Sequence, residues 1–293
     1  MAGQSEPVPL SISFSASGFQ ATYQLGVAQS MLDLAPLVLQ AAPKVMGASA
    51  GSHACFSVAC LEACIEMMRF ALQKRGPLHP AGNVFVWLEG LLRRSLPDDA
   101  HIRASGRLAV VMTRIPDGQN TVVSEFTSRE DVVQALLCSC FIPGYHGIQP
   151  PSYKGVHYVD GGLSSIQPTH SSPYAHTLTV SPFAGEADIC PPDPASMYVI
   201  VMSGMPLNCS VANGYRILEA LYPYNWEVGP QNTPYACQQS HNTTLTIHQL
   251  HYNGDKGCPQ TVRAYIKQSQ QQSQHLTTAT PGFQRSLVWQ RNS

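Results

Sequence analysis

A serine among small residues, Gly47-Ala48-Ser49-Ala50-Gly51, and a distant Asp160-Gly161-Gly162 constrain this chain more than any other feature. A glycine two residues on either side of a serine lets a strand turn abruptly into a helix, because a side chain at either position collides with neighbouring backbone. The hydroxyl is then pushed out of the turn. The flanks agree: Val45-Met46 is a short apolar approach, and from Ser52 toward Phe70 the chain runs through Ala, Cys, Leu, Ile and Met as a helix does. Ser49 is thereby expected at the positive end of a helix, where free backbone N–H groups favour a developing oxyanion. The same five residues also suit a close-packed turn with no chemistry.

A serine hydroxyl is a weak nucleophile at neutral pH and needs a base within hydrogen-bond reach. Asp160 is the candidate, since it follows the strand-like Val156-His157-Tyr158-Val159 and precedes two glycines, Gly161 and Gly162, that free the backbone to aim one side chain. An ordinary Asp-Gly turn has the same residues. Near the start, Ser11-Ile12-Ser13-Phe14-Ser15 reads as a strand and Ala16-Ser17-Gly18 as a loop opening the next helix. The backbone amides of Ser17 and Gly18 are the candidate oxyanion donors, and a simple strand–helix connection accounts for the same loop.

Small-residue loop, serine elbow and Asp-Gly-Gly, in that order, resemble the patatin-like phospholipase family. The stretches ISFSASGF, GASAG, GPLHP, LPDDAH, TRIPDGQN, CSCFIPGY, GIQPPSYKGVHYVDGGLSSIQP and TVSPFAGEADICP resemble its vertebrate branch, which includes adipose triglyceride lipase and adiponutrin. Within it, SISFSASGFQATYQLGV and VVSEFTSRED are most like the acylceramide-forming member. The resemblance implies a patatin-like α/β/α fold around a central, mostly parallel sheet, and a serine–aspartate dyad with no catalytic histidine. Ser49 is then the nucleophile and Asp160 its general base, with the acyl group passing to water in a lipase or to a lipid hydroxyl, such as that of an omega-hydroxyceramide, in a transacylase. It also implies a neutral-lipid substrate, a peripheral lipid-droplet or membrane surface as working place, and a protein co-activator of the kind common in that family. No cofactor or metal is expected.

Three departures qualify this reading. Ala16 and Ala21 stand where the family usually has glycine, leaving only Gly18; a left-handed Ala16 would cost about 1–2 kcal/mol. The stretch between Gly51 and Gly76 is shorter than in relatives by roughly two helical turns. Beyond Pro223 the resemblance stops, so we expect an acyl hydrolase or transacylase domain over 9–223 and a divergent, Gln-rich, disordered tail over 224–293. An altered splice product is one hypothesis for that tail, which sequencing the transcript across Pro223 tests.

Strands are expected near 10–15, 44–47, 107–113, 121–126, 156–159, 176–181 and 197–202, and helices near 20–34, 52–74, 83–95 and 129–138, an alternation typical of a helix-covered sheet. A net charge of −1 offers nothing to nucleic acid, and only 12% of residues are charged, which suits work beside lipid. The N-terminus lacks the pattern of a signal peptide and no apolar run reaches eighteen residues, so a cytosolic, peripheral protein is expected. The nine cysteines have no C-x-x-C, and Cys55, Cys60, Cys64, Cys138 and Cys140 read as small core residues. Val84, Phe85, Trp87, Leu88, Leu91 and Leu92, ahead of Arg93-Arg94, form either a lipid-interface helix or a core-facing one. His170 or His176 would complete a triad if the dyad reading fails, and His53 reads as a packed or capping residue. The competing class is an inactive lipid-binding scaffold that keeps the fold.

Overall fold

The architecture was taken from a computed structural model, which describes residues 10–34, 36–55, 84–169, 176–193 and 197–222. In β1 (Leu10–Phe14) apolar residues alternate with serines, yet all five residues are buried. A strand that hides both rows of side chains lies inside a covered sheet. The Ser13 hydroxyl is accommodated there by hydrogen bonds from the Gln167 amide and to the Pro168 carbonyl. β3 (Leu108–Arg114) begins with the apolar run Leu-Ala-Val-Val-Met and is buried up to Thr113.

The sheet is mixed and mostly parallel. β2 (Val45–Ala48) lies between β1 and β3 and is parallel to both, and β7 (His176–Val180) is parallel to β1 on its far side. The antiparallel strands gather around β3: β4 (Asn120–Val123), β6 (Val156–Asp160) and, beyond β6, the short β5 (Ser152–Tyr153). β4 occupies one edge of β3 from Val110 to Thr113, so β2 and β6 share the other edge. They run toward each other along it. β2 ends with Ala48 opposite Val111, and β6 ends with Asp160 opposite the next residue, Met112.

Seven helices are described: α1 (Ala21–Leu34), α2 (Pro36–Ala41), α3 (Ala50–Ala54), α4 (Val84–Ser95), α5 (Ala100–Ala104), α6 (Arg129–Cys140) and α7 (Val211–Leu221). α6 starts where Ser128 accepts a hydrogen bond from the Asp131 amide, with Glu130 and Asp131 in the positive first turn. α7 is held by a buried knot. Asn213 exchanges hydrogen bonds with both backbone groups of Ala184, and Arg216 pairs with Asp193 at 2.6 Å, both side chains only 4% exposed.

The expected strands and helices fall close to these bounds. The strand expected over 197–202 does form, as β8 (Val199–Met202), but it pairs only with β9 (Met205–Asn208) in a separate hairpin rather than joining the sheet. Of the helix expected over 52–74, Ala50–Ala54 is described and the rest, with Cys60, Cys64 and the shortened stretch before Gly76, lies outside the described residues. So do His170 and everything from Pro223 onward. Cys55 and Cys138 sit in the main core, as expected of small apolar side chains. Among the described residues no helix is long and apolar enough to cross a membrane.

Candidate active site

Ser49 joins β2 to α3 with φ 54° and ψ −134°, a conformation rarely adopted by residues that carry a side chain. The strained turn persists because its surroundings over-determine it. A side chain at Gly51 would approach the Ser15 carbonyl oxygen to 2.3 Å, and one at Gly47 would meet the Ser52 amide at 2.4 Å. The elbow can close only with glycine at both places. The Ser49 amide donates to Ser139 Oγ at 3.0 Å, and that hydroxyl donates onward to the Val111 carbonyl at 2.6 Å. It is therefore not a free oxyanion donor, contrary to the simplest expectation for a helix start. Ser139 is a site-building residue that the sequence reading passed over, although it stands between Cys138 and Cys140 in the family-like CSC stretch.

The Ser49 hydroxyl donates to Asp160 Oδ2 at 2.5 Å, across 111 positions of sequence. The second carboxylate oxygen accepts from the Gly162 amide at 2.7 Å. Backbone bonds hold Asp160 itself: its amide donates to the Phe141 carbonyl and its carbonyl accepts from Thr113 Oγ1, both at 2.8 Å. A side chain at Gly161 would lie 2.1 Å from the Val111 carbonyl oxygen, so the glycine lets the chain leave β6 against β3. Burial raises the Asp160 carboxyl to about 6, and the bonds from Ser49 and Gly162 pull in the other direction.

Ser17 and Gly18 line one cavity with Ser49 and Asp160. Gly18 takes a positive φ of 52°, and a Cβ there would lie 2.1 Å from the Ala220 carbonyl oxygen of α7. Gln24, wholly buried, organises the loop: it accepts from Ser17 Oγ at 2.9 Å and donates to the Ser15 carbonyl at 2.8 Å. Ala16 does not adopt a positive φ, so the expected backbone penalty does not arise. Its methyl instead fills the place a side chain on Gly162 would take, 2.6 Å from that glycine's missing Cβ.

The cavity measures about 250 Å³ and is walled by apolar side chains, among them Trp87, Leu88 and Leu91 of α4, Leu163, and Ile217 and Leu221 of α7. Phe85 and Leu88 also pack on the main core. The apolar row of α4 thus faces inward, which is the core-facing alternative. His53 lines the same cavity, but its Nε2 lies 3.0 Å from Cys140 Sγ, and burial lowers its pKa to about 4. It is a packed, neutral imidazole. His176 opens β7 opposite Leu10, whereas the elbow follows the far ends of the parallel strands, where Phe14 pairs with Gly47. The register places it at the wrong end of the sheet to serve Ser49. Among the described residues no cluster of three or more His, Cys, Asp or Glu could hold a metal ion.

The patatin-like phospholipase family matches residues 12–171. Patatin-like phospholipase domain-containing protein 2 of Rattus norvegicus is 40% identical over 221 residues, covering 72% of this chain and 46% of the rat protein. Omega-hydroxyceramide transacylase of Homo sapiens is 41% identical over 228 residues, covering 73% of this chain and 42% of the human protein. The human 1-acylglycerol-3-phosphate O-acyltransferase PNPLA3 is 37% identical over 227 residues, covering 74% and 47%. The chain spans less than half the length of each of these relatives.

Proposed function

Because this chain belongs to the patatin-like phospholipase family, we propose that it is a serine ester hydrolase acting on neutral glycerolipids through Ser49 and Asp160. The observation that carries the reading is the 2.5 Å hydrogen bond from the Ser49 hydroxyl to the Asp160 carboxylate in an apolar cavity.

In the proposed reaction Asp160 takes the Ser49 proton as Oγ attacks an acyl carbonyl carbon. The Ser17 and Gly18 amides are the proposed donors to the resulting oxyanion, a role supported by both residues lining the cavity with Ser49. Collapse breaks the ester C–O bond, and Asp160 returns the proton to the departing alcohol. An acceptor hydroxyl then gives its proton to Asp160 while attacking the acyl-serine, and Ser49 regains a proton as it leaves. A carboxylate raised to about 6 is a stronger base than an ordinary aspartate and is still ionised at neutral pH. Burial thus supplies part of the basicity that a histidine provides in a triad.

A second reading, transfer of the acyl chain to a lipid hydroxyl such as that of an omega-hydroxyceramide, is favoured by the likeness to the human transacylase. A peripheral lipid-droplet or membrane surface is the proposed place of action, and a protein co-activator is an open partner in either case. Fluorophosphonate labelling of wild type beside Ser49→Ala and Asp160→Asn tests the dyad. Triacylglycerol turnover with and without an omega-hydroxyceramide acceptor then separates water from lipid as acceptor. A folded wild-type chain that stays unlabelled would favour the inactive lipid-binding scaffold.

A further inference from the structure

Among the described residues, most of the exposed large apolar side chains lie on β8, on α7 and beside these two elements. Leu163, Met202 and Leu221 line the cavity and are also exposed, so they form part of its rim. From that rim exposure continues in two directions. Along β8, Val199, Ile200, Val201 and Met202 are all between 37 and 67% exposed, although a strand with one covered face would hide every second residue. Its partner β9 does alternate, burying Met205 and Leu207 in a small cluster with Phe183 and Ala220. Along α7, Val211, Tyr215 and Leu218 are 78, 64 and 58% exposed at helical spacing, on the side away from buried Asn213, Arg216 and Ala220. A surface helix normally turns charged residues outward. This one turns out apolar and aromatic side chains, while its charges are engaged elsewhere: Arg216 with Asp193, and Glu219 with Gln20.

We infer that the β8–β9 hairpin and the outer face of α7 form a docking surface for the uncharged face of a lipid monolayer. The occupant follows from two features. None of the exposed residues named carries a formal charge, which fits a neutral acyl and ester layer rather than a charged protein surface. The surface also reaches the rim, since Met202 of β8 and Leu221 of α7 both line the cavity, so a layer docked there would lie against the cavity mouth. The second feature rests on the proposed function; the docking itself does not. The sequence offered α4 as either a lipid-interface or a core-facing helix, and its Phe85 and Leu88 pack on the core while Trp87, Leu88 and Leu91 line the cavity.

The test is flotation of the full 293-residue chain, in a Ser49→Ala background so that nothing turns over, with phosphatidylcholine-coated triolein emulsions. Ile200→Glu with Leu218→Glu, neither of which lines the cavity, should lower the bound fraction at least tenfold. Val86→Glu, on the exposed side of α4, should leave it within twofold. Folding is read by thermal melting and not by turnover, so the docking surface and the dyad fail independently. If the glutamate pair melts early, Ile200→Ser with Leu218→Ser decides by the same criterion. Undiminished flotation of a folded variant, or a wild type that does not float, overturns the inference. So does light scattering that finds a wild-type dimer and a monomeric variant, because the patch would then join two copies through the open β8 edge.

Discussion

Ser49 and Asp160 meet because the strands that carry them run head to head along one edge of β3. Ala48 is paired with Val111 and Asp160 with Met112, so two chain segments 111 positions apart finish on adjacent residues of a third. The hydrogen bond between hydroxyl and carboxylate is a consequence of register.

The strain at Ser49 is open to measurement. Ser49→Gly removes a side chain from a positive-φ position, whereas Ser49→Ala keeps the strain and loses only the hydroxyl. Both should abolish fluorophosphonate labelling. The glycine variant should be more stable than the alanine variant by about 0.5–1 kcal/mol, the strain relieved less the added freedom of the unfolded chain. Equal melting temperatures would show that the strain at Ser49 is no larger than the roughly 0.4–1 kcal/mol by which glycine's added freedom destabilises the folded chain.

Asp160 couples activity to stability through pH. Its carboxyl is raised from 3.8 to about 6 by burial, so the folded chain holds this proton more tightly than the unfolded one. That stabilisation is fully present below about pH 4 and is lost as pH rises through about 6. Turnover should rise over the same interval, as the carboxylate forms. Asp160→Asn should flatten this part of the stability curve and add up to about 2–3 kcal/mol at pH 8 while removing turnover. Chemical denaturation at pH 4, 6 and 8 reads both effects.

Gly18 and Ala16 should behave oppositely. Gly18→Ala forces a methyl against the Ala220 carbonyl at a positive φ, and turnover should fall at least a hundredfold. Ala16→Gly restores the family's residue where no unusual backbone angle is needed, and turnover should stay within about threefold. A large gain from Ala16→Gly would mean that the methyl itself obstructs the loop.

Ser139 anchors the nucleophile's amide. Ser139→Ala leaves the buried Ser49 N–H and Val111 carbonyl without this partner, at about 1–3 kcal/mol of stability. The effect on turnover should fall on kcat more than on KM, since the elbow shifts while the cavity walls do not. Steady-state kinetics on a soluble ester separates the two.

The Arg216–Asp193 pair holds the helix that backs Gly18. Arg216→Met strands a buried carboxylate and should cost about 3–5 kcal/mol in urea unfolding. Asp193→Asn should cost similarly, because it leaves the guanidinium uncompensated.

The sheet strands were legible because β3 is a β-branched, apolar run and β1 and β7 alternate apolar with hydroxyl residues, and the elbow was legible because two glycines bracket a serine. β5 and β9 went unnoticed: one is two residues long, and the other contains Pro206. α7 was missed although its apolar residues do recur at helical spacing: the structure turns Val211, Tyr215 and Leu218 outward and buries the opposite row with Asn213 and Arg216. Ser139 was hidden between two cysteines that read as core.

Local chemistry therefore determined which residues could make a nucleophilic turn, where Gly47 and Gly51 were required, and that Asp160 lay on a flexible corner. Those are properties of a few adjacent residues and of the backbone angles that they allow. The tertiary structure decided that the Ser49 hydroxyl meets the Asp160 carboxylate, that Ser139 ties down the elbow, and that exposed apolar side chains gather on β8 and α7 while the apolar row of α4 lines the cavity. Register, burial and the approach of distant carbonyls arise only when the segments pack, and no short stretch of sequence contains them.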